Sequence, residues 1–98
     1  MTKHIQFDFY RIHTYKSFYR ICKQKLQLPD YFGENLDALW DCLTGYIELP
    51  VSIQFENVSS FQLKKFEKLI SLLKEAEKEL EGRLSFKYYS KEDEDVLG

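Results

Sequence analysis

The chain has 98 residues, 44% hydrophobic and 31% charged, enough for one globular domain with a real core and too few for two. No stretch reaches the roughly 20 apolar residues of a membrane span, and Met1 to Asp8 lacks the apolar core of a secretory signal. Two cysteines without a CxxC spacing are too few for a disulfide framework or a zinc site, so the composition points to a soluble protein of a reducing cytoplasm.

In chain order, Ile5 to Phe9 alternates apolar and polar residues and predicts a first strand. Thr14 is placed to cap a helix reaching about Leu26, with Tyr15, Phe18, Tyr19, Cys22 and Leu26 at three-to-four spacing. Leu28 to Gly33 predicts a turn-rich loop, with Pro29 fixing one φ and Gly33 free to take a positive one. Asn35 caps a short helix from Leu36 to Thr44, with Gly45 as its left-handed stop and Pro50 preventing its resumption. Val51 to Phe55 alternates again as a second strand. Ser59 or Ser60 opens a long helix with Phe66, Leu69, Ile70, Leu73, Ala76 and Leu80 on one face and a possible break near its start. Leu84 to Tyr88 gives a third strand, and residues 91–98 read as an acidic, disordered tail. Strands separated by helices predict an α/β fold, a small parallel sheet with covering helices, as one domain over residues 1–90.

Charge is spread unevenly. Residues 26–63 contain no Lys, Arg or His but carry six acids: Asp30, Glu34, Asp37, Asp41, Glu48 and Glu56. A single-sign field of this kind bears on partners rather than on fold. The acids interleave with Tyr31, Phe32, Trp40, Thr44, Gly45 and Tyr46, and large aromatics among unpaired carboxylates are the material of an interface centre with a basic partner.

At about 100° per residue, Leu36, Leu39, Trp40 and Leu43 fall on one side of the short helix and should face the core, while Asp37, Asp41 and Thr44 form a second stripe roughly 115° away. Like charges at i,i+4 cost a helix roughly 0.2–0.5 kcal/mol, and an anion near the C-terminal turn opposes the macrodipole. Retaining Asp41 despite this is local rule-breaking of the kind functional sites show. The same two aspartates could be a hydrolytic acid–base pair or ligands for Mg²⁺ or Ca²⁺, but the segment lacks a neighbouring His, further ligands and metal-loop spacing. Cys42, on the helix side away from the aspartates, reads as packing, and His4 and His13 as surface or strand-end residues. The basic N-terminal third lies beside an acidic centre that would repel phosphate, so nucleic acid binding is not expected.

The segment Leu28-Pro29-Asp30-Tyr31-Phe32-Gly33-Glu34-Asn35-Leu36-Asp37-Ala38-Leu39-Trp40-Asp41-Cys42-Leu43-Thr44-Gly45-Tyr46-Ile47-Glu48-Leu49-Pro50 closely resembles the central segment of the barstar family, intracellular inhibitors of barnase-type ribonucleases. The resemblance implies a barstar-like fold in two layers, with a three-stranded parallel sheet. It also implies a non-enzymatic role: one-to-one binding that occludes the phosphate-binding active site of a basic ribonuclease. By resemblance Asp41 would enter that phosphate site and Asp37 would pair with further basic groups. Tyr31, Gly33, Asn35, Trp40, Thr44, Gly45 and Tyr46 would complete the surface. Lys74-Glu75-Ala76 resembles the family's outlying acidic contact and places Glu75 there. Phe32 and Tyr46 stand where the family's type member has Tyr and Trp. No cofactor, metal or membrane is implied, and the free protein is expected to be a monomer. The alternatives are an immunity protein against a toxin of another fold and an adaptor for a basic non-nuclease protein.

Overall fold

Alternation in the strand sequences decides the architecture. In the computed structural model, which describes residues 1–91, β1 (Lys3–Asp8), β2 (Val51–Val58) and β3 (Leu84–Ser90) form a parallel sheet in the order β1-β2-β3. Ile5, Phe7, Val51, Ile53, Phe55, Leu84 and Phe86 point to one face and are buried, while His4, Gln6, Asp8 and Lys87 on the other are exposed. Parallel sheets are usually covered on both faces and then read as continuous apolar runs. Here one face stays polar, which is why a period of two is visible in the sequence.

The buried face packs beneath α1 (Tyr15–Leu26), α2 (Leu36–Gly45), α3 (Ser60–Lys65) and α4 (Glu67–Glu79). Phe55 centres an aromatic core, its ring 4.6 Å from Phe9, 4.9 Å from Phe86, 5.5 Å from Phe7 and 5.7 Å from Phe18 between centroids. Tilted and edge-to-face pairs of this kind add roughly 0.5–1.5 kcal/mol each beyond area burial. They join all three strands to α1.

Three expected caps form as the side-chain chemistry requires. Thr14 accepts from the Ser17 amide, Asn35 from the Ala38 amide and Ser59 from the Gln62 amide. The long helix does break, at Phe66, whose fully buried ring packs against Phe9 at 5.3 Å and Tyr15 at 4.8 Å. β2 runs three residues beyond the expected Phe55, because Asn57 adopts φ 60° in a register shift and donates its amide to the Asp8 carboxylate at 3.2 Å. Both glycine expectations are corrected. Gly33 is not in the left-handed region; Gln27 (φ 53°), at the end of α1, and Glu34 (φ 49°) take it instead. Gly45 belongs to α2, which ends at Tyr46 with φ −121°, so no left-handed stop exists there. The expected acidic tail, apart from Lys91, lies outside the described residues.

Candidate functional site

The acidic segment starts where α1 stops. Gln27 turns the chain left-handed, the Leu28 amide donates to the Lys23 carbonyl at 2.9 Å, and the Leu28 side chain is buried. A tight turn follows, with the Phe32 amide donating to the Pro29 carbonyl at 2.9 Å. Phe32 was grouped above with the interface aromatics. It is instead buried, its ring edge-on to Tyr19 at 6.0 Å, and it anchors the loop to the core. Tyr31, its neighbour, is 83% exposed. Thus one aromatic fixes the loop while the adjacent one is presented to solvent.

Asn35 locks the other end. Its side-chain carbonyl accepts from the Ala38 amide at 2.8 Å, and its side-chain amide donates to the Gly33 carbonyl at 3.2 Å. A Cβ on Gly33 would lie 3.2 Å from that same nitrogen and 3.3 Å from the Ala38 Cβ, tighter than ordinary contact. Gly33 is therefore required by local packing rather than by φ. Glu34, wedged between them in the left-handed region, carries the strain that a non-glycine residue meets there.

Along α2, Leu39, Cys42 and Leu43 are buried, and Leu36 and Trp40 are half-buried against the core. Asp37, Asp41 and Gly45 follow one another at four-residue spacing on the exposed side. Thr44 is half-buried and its hydroxyl donates to the Trp40 carbonyl at 2.8 Å, so its proton is committed within the helix. Tyr46, half exposed, follows at the helix end. The loop and α2 therefore bring nine of the ten expected site residues onto one continuous segment. The tenth, Glu75, is exposed on α4, a helix packed against α2; among the described residues no hydrogen bond or ion pair joins it to the nine.

Electrostatically the surface is uncompensated. The one ion pair in the segment is Lys23 to Asp30 at 3.5 Å, with the Asp30 side chain fully exposed and so worth little. Among the described residues no cation lies within ion-pair distance of Glu34, Asp37, Asp41 or Glu48. Chemical alternatives find little to work with. Burial, with the Asp41 charge adding to it, pushes the Cys42 thiol up, away from the thiolate a nucleophile needs. Among the described residues no group of three His, Cys, Asp or Glu side chains is arranged to hold a metal, and no helix is long and apolar enough to cross a membrane.

These elements define a small parallel α/β domain with bare carboxylates and aromatics presented on a pinned loop and helix. The chain belongs to the barstar (barnase inhibitor) family, whose model matches residues 2–91. It is also similar to a protein of Bacillus subtilis (strain 168) named "Putative ribonuclease inhibitor YrdF", at 44% identity over 61 residues, 59% of this chain and 67% of that one.

Proposed function

We propose that the protein is a non-enzymatic inhibitor that binds a barnase-type ribonuclease one-to-one and closes its phosphate-binding site with α2 and the loop before it. The observation that carries this reading is the run of unpaired carboxylates on a preorganised segment, in a chain of the barnase-inhibitor family. Asp41 is the charge placed in the phosphate site, and Asp37, one turn earlier, meets further cations. Tyr31, exposed, with Trp40 and Tyr46, half-exposed, supplies flat contact area, and Asn35 and Gly33 hold the loop in shape. Thr44 adds polar contact, and Glu75 extends the acidic field from α4. Gly45 serves a different need. A Cβ there would meet nothing within 4 Å inside the chain, so the space it leaves is space for the partner. Such a protein would act in the cytoplasm, where it protects cellular RNA. The test is a titration of RNA cleavage, expected to fall linearly to a sharp equivalence point at one inhibitor per enzyme. Undiminished cleavage by several barnase-type enzymes at micromolar protein would overturn the ribonuclease target and favour a toxin of another kind.

Steering follows from the same charges. The association rate should fall at least about tenfold between roughly 10 and 500 mM salt, as the Debye length shrinks from about 30 Å to a few Å, while dissociation changes much less. Stopped-flow mixing measures both. An association rate indifferent to salt would mean that shape alone drives recognition.

A further inference from the structure

Beside the acidic segment lies a groove of the opposite sign. Its volume is about 460 Å³; Tyr15, Tyr19 and Leu36 line it together with Lys64, Lys65 and Lys68 from the α3–α4 junction, and Glu67 is the one acid there. The groove is continuous with the recognition segment in two places. Leu36 is the first residue of α2, and Tyr19 carries the loop anchor Phe32 against its ring. Among the described residues none of the three lysines has a carboxylate within 4.0 Å. Lys64 and Lys65 close α3, where a helix favours cations, but Lys68 stands in the first turn of α4, where the dipole opposes it.

We propose that Lys64, Lys65 and Lys68 are the basic half of a two-signed recognition surface, fitted to a ribonuclease whose basic active site is bordered by a cluster of carboxylates. The inference rests on the reading that α2 and its loop are the inhibitory face. Acidic and basic patches side by side fix the rotation of a partner that either patch alone would leave free. They also work against unsuitable partners, because a ribonuclease with a uniformly basic rim would meet three ammonium groups that no carboxylate offsets, Lys65 having only the Phe61 ring beneath it at 5.9 Å. The acidic face attracts basic ribonucleases as a class, and the lysines select among them.

The test uses the barnase-type ribonuclease that the wild-type chain titrates. Combining Lys64→Glu, Lys65→Glu and Lys68→Glu should slow association at least about threefold at roughly 50 mM salt, with the difference fading at high salt. Lys68→Gln alone should shift the rate in the same direction by less, and far-ultraviolet circular dichroism of both variants confirms folding. A faster association overturns the proposal, since added negative charge helps only if the partner is uniformly basic; an unchanged rate overturns it too. If the wild-type chain titrates no ribonuclease, the parent reading fails before any variant is made, and this one fails with it. A labelled single-stranded RNA provides the remaining arm. Binding near physiological salt that the triple reversal abolishes would assign the groove to nucleic acid instead.

Discussion

Asp41→Ala is expected to weaken binding and strengthen the fold in a single substitution. Asp41 is exposed on α2 and, among the described residues, has no hydrogen bond or ion pair that its removal would break. Alanine relieves the i,i+4 repulsion with Asp37 and is the better helix former, together worth roughly 0.5–1 kcal/mol of added stability. The observed helix ends one residue later than the sequence suggests, so Asp41 lies just before the last turn and the dipole adds less. In the complex the balance reverses. Removing one partner of a desolvated charge cluster leaves the other side's cations unpaired, at a general cost of about 2–5 kcal/mol, or roughly a thirtyfold to several-thousandfold loss of affinity. Urea denaturation of the free protein and a binding titration of the same preparation give both signs. A destabilised variant would make Asp41 a structural residue, and a stabilised variant that binds normally would remove α2 from the interface.

The second large effect lies in the scaffold. Gln62 is the one buried polar side chain among the described residues. Its amide nitrogen donates to the Phe9 carbonyl at 2.8 Å and the Ile12 carbonyl at 2.7 Å, and its side-chain oxygen accepts from the Ser59 amide at 3.0 Å. One side chain thus ties the loop after β1 to the start of α3. Gln62→Ala would leave the Ile12 carbonyl and the Ser59 amide without partners and the Phe9 carbonyl with only its 3.4 Å bond from the Ile12 amide, and a destabilisation of about 2–4 kcal/mol is expected. The urea midpoint should drop with its slope unchanged. A loss below about 1 kcal/mol would show that water replaces the amide.

How legible this molecule was in its sequence depended on the range of the interaction concerned. Thr14, Asn35 and Ser59 cap helices through bonds to amides three residues on, so the chain text carries them directly. The strands were legible because an open sheet face imposes alternation. Glycine misled, since it marks where the left-handed region is cheap rather than where it is used; Gln27 and Glu34 occupy it under the constraint of the anchored loop. The end of β2 depended on Asn57 reaching Asp8, 49 residues away, a contact that no local pattern encodes. The same contrast runs through the acidic segment. Its acids could be listed because they are contiguous, whereas the burial of Phe32 against Tyr19, and the nearness of Lys64, Lys65 and Lys68 to Leu36, exist only once the chain has folded.

Cys22 and Cys42 give the acidic helix an internal clock. Both are free and buried, and burial pushes the Cys22 thiol up to about 12 and raises that of Cys42 as well. Alkylating reagents consume thiolate, so the native molecule is nearly silent to them and each labelling event records a moment when packing came apart. Cys42 adjoins Asp41 in the chain, so its modification counts excursions in which α2 leaves the core, while Cys22 on α1, in the same core and close enough to feel Cys42, reports openings that reach further in. Labelling at Cys42 that outpaces labelling at Cys22 would reveal breathing of the acidic helix alone, in the unaltered protein and without an introduced probe.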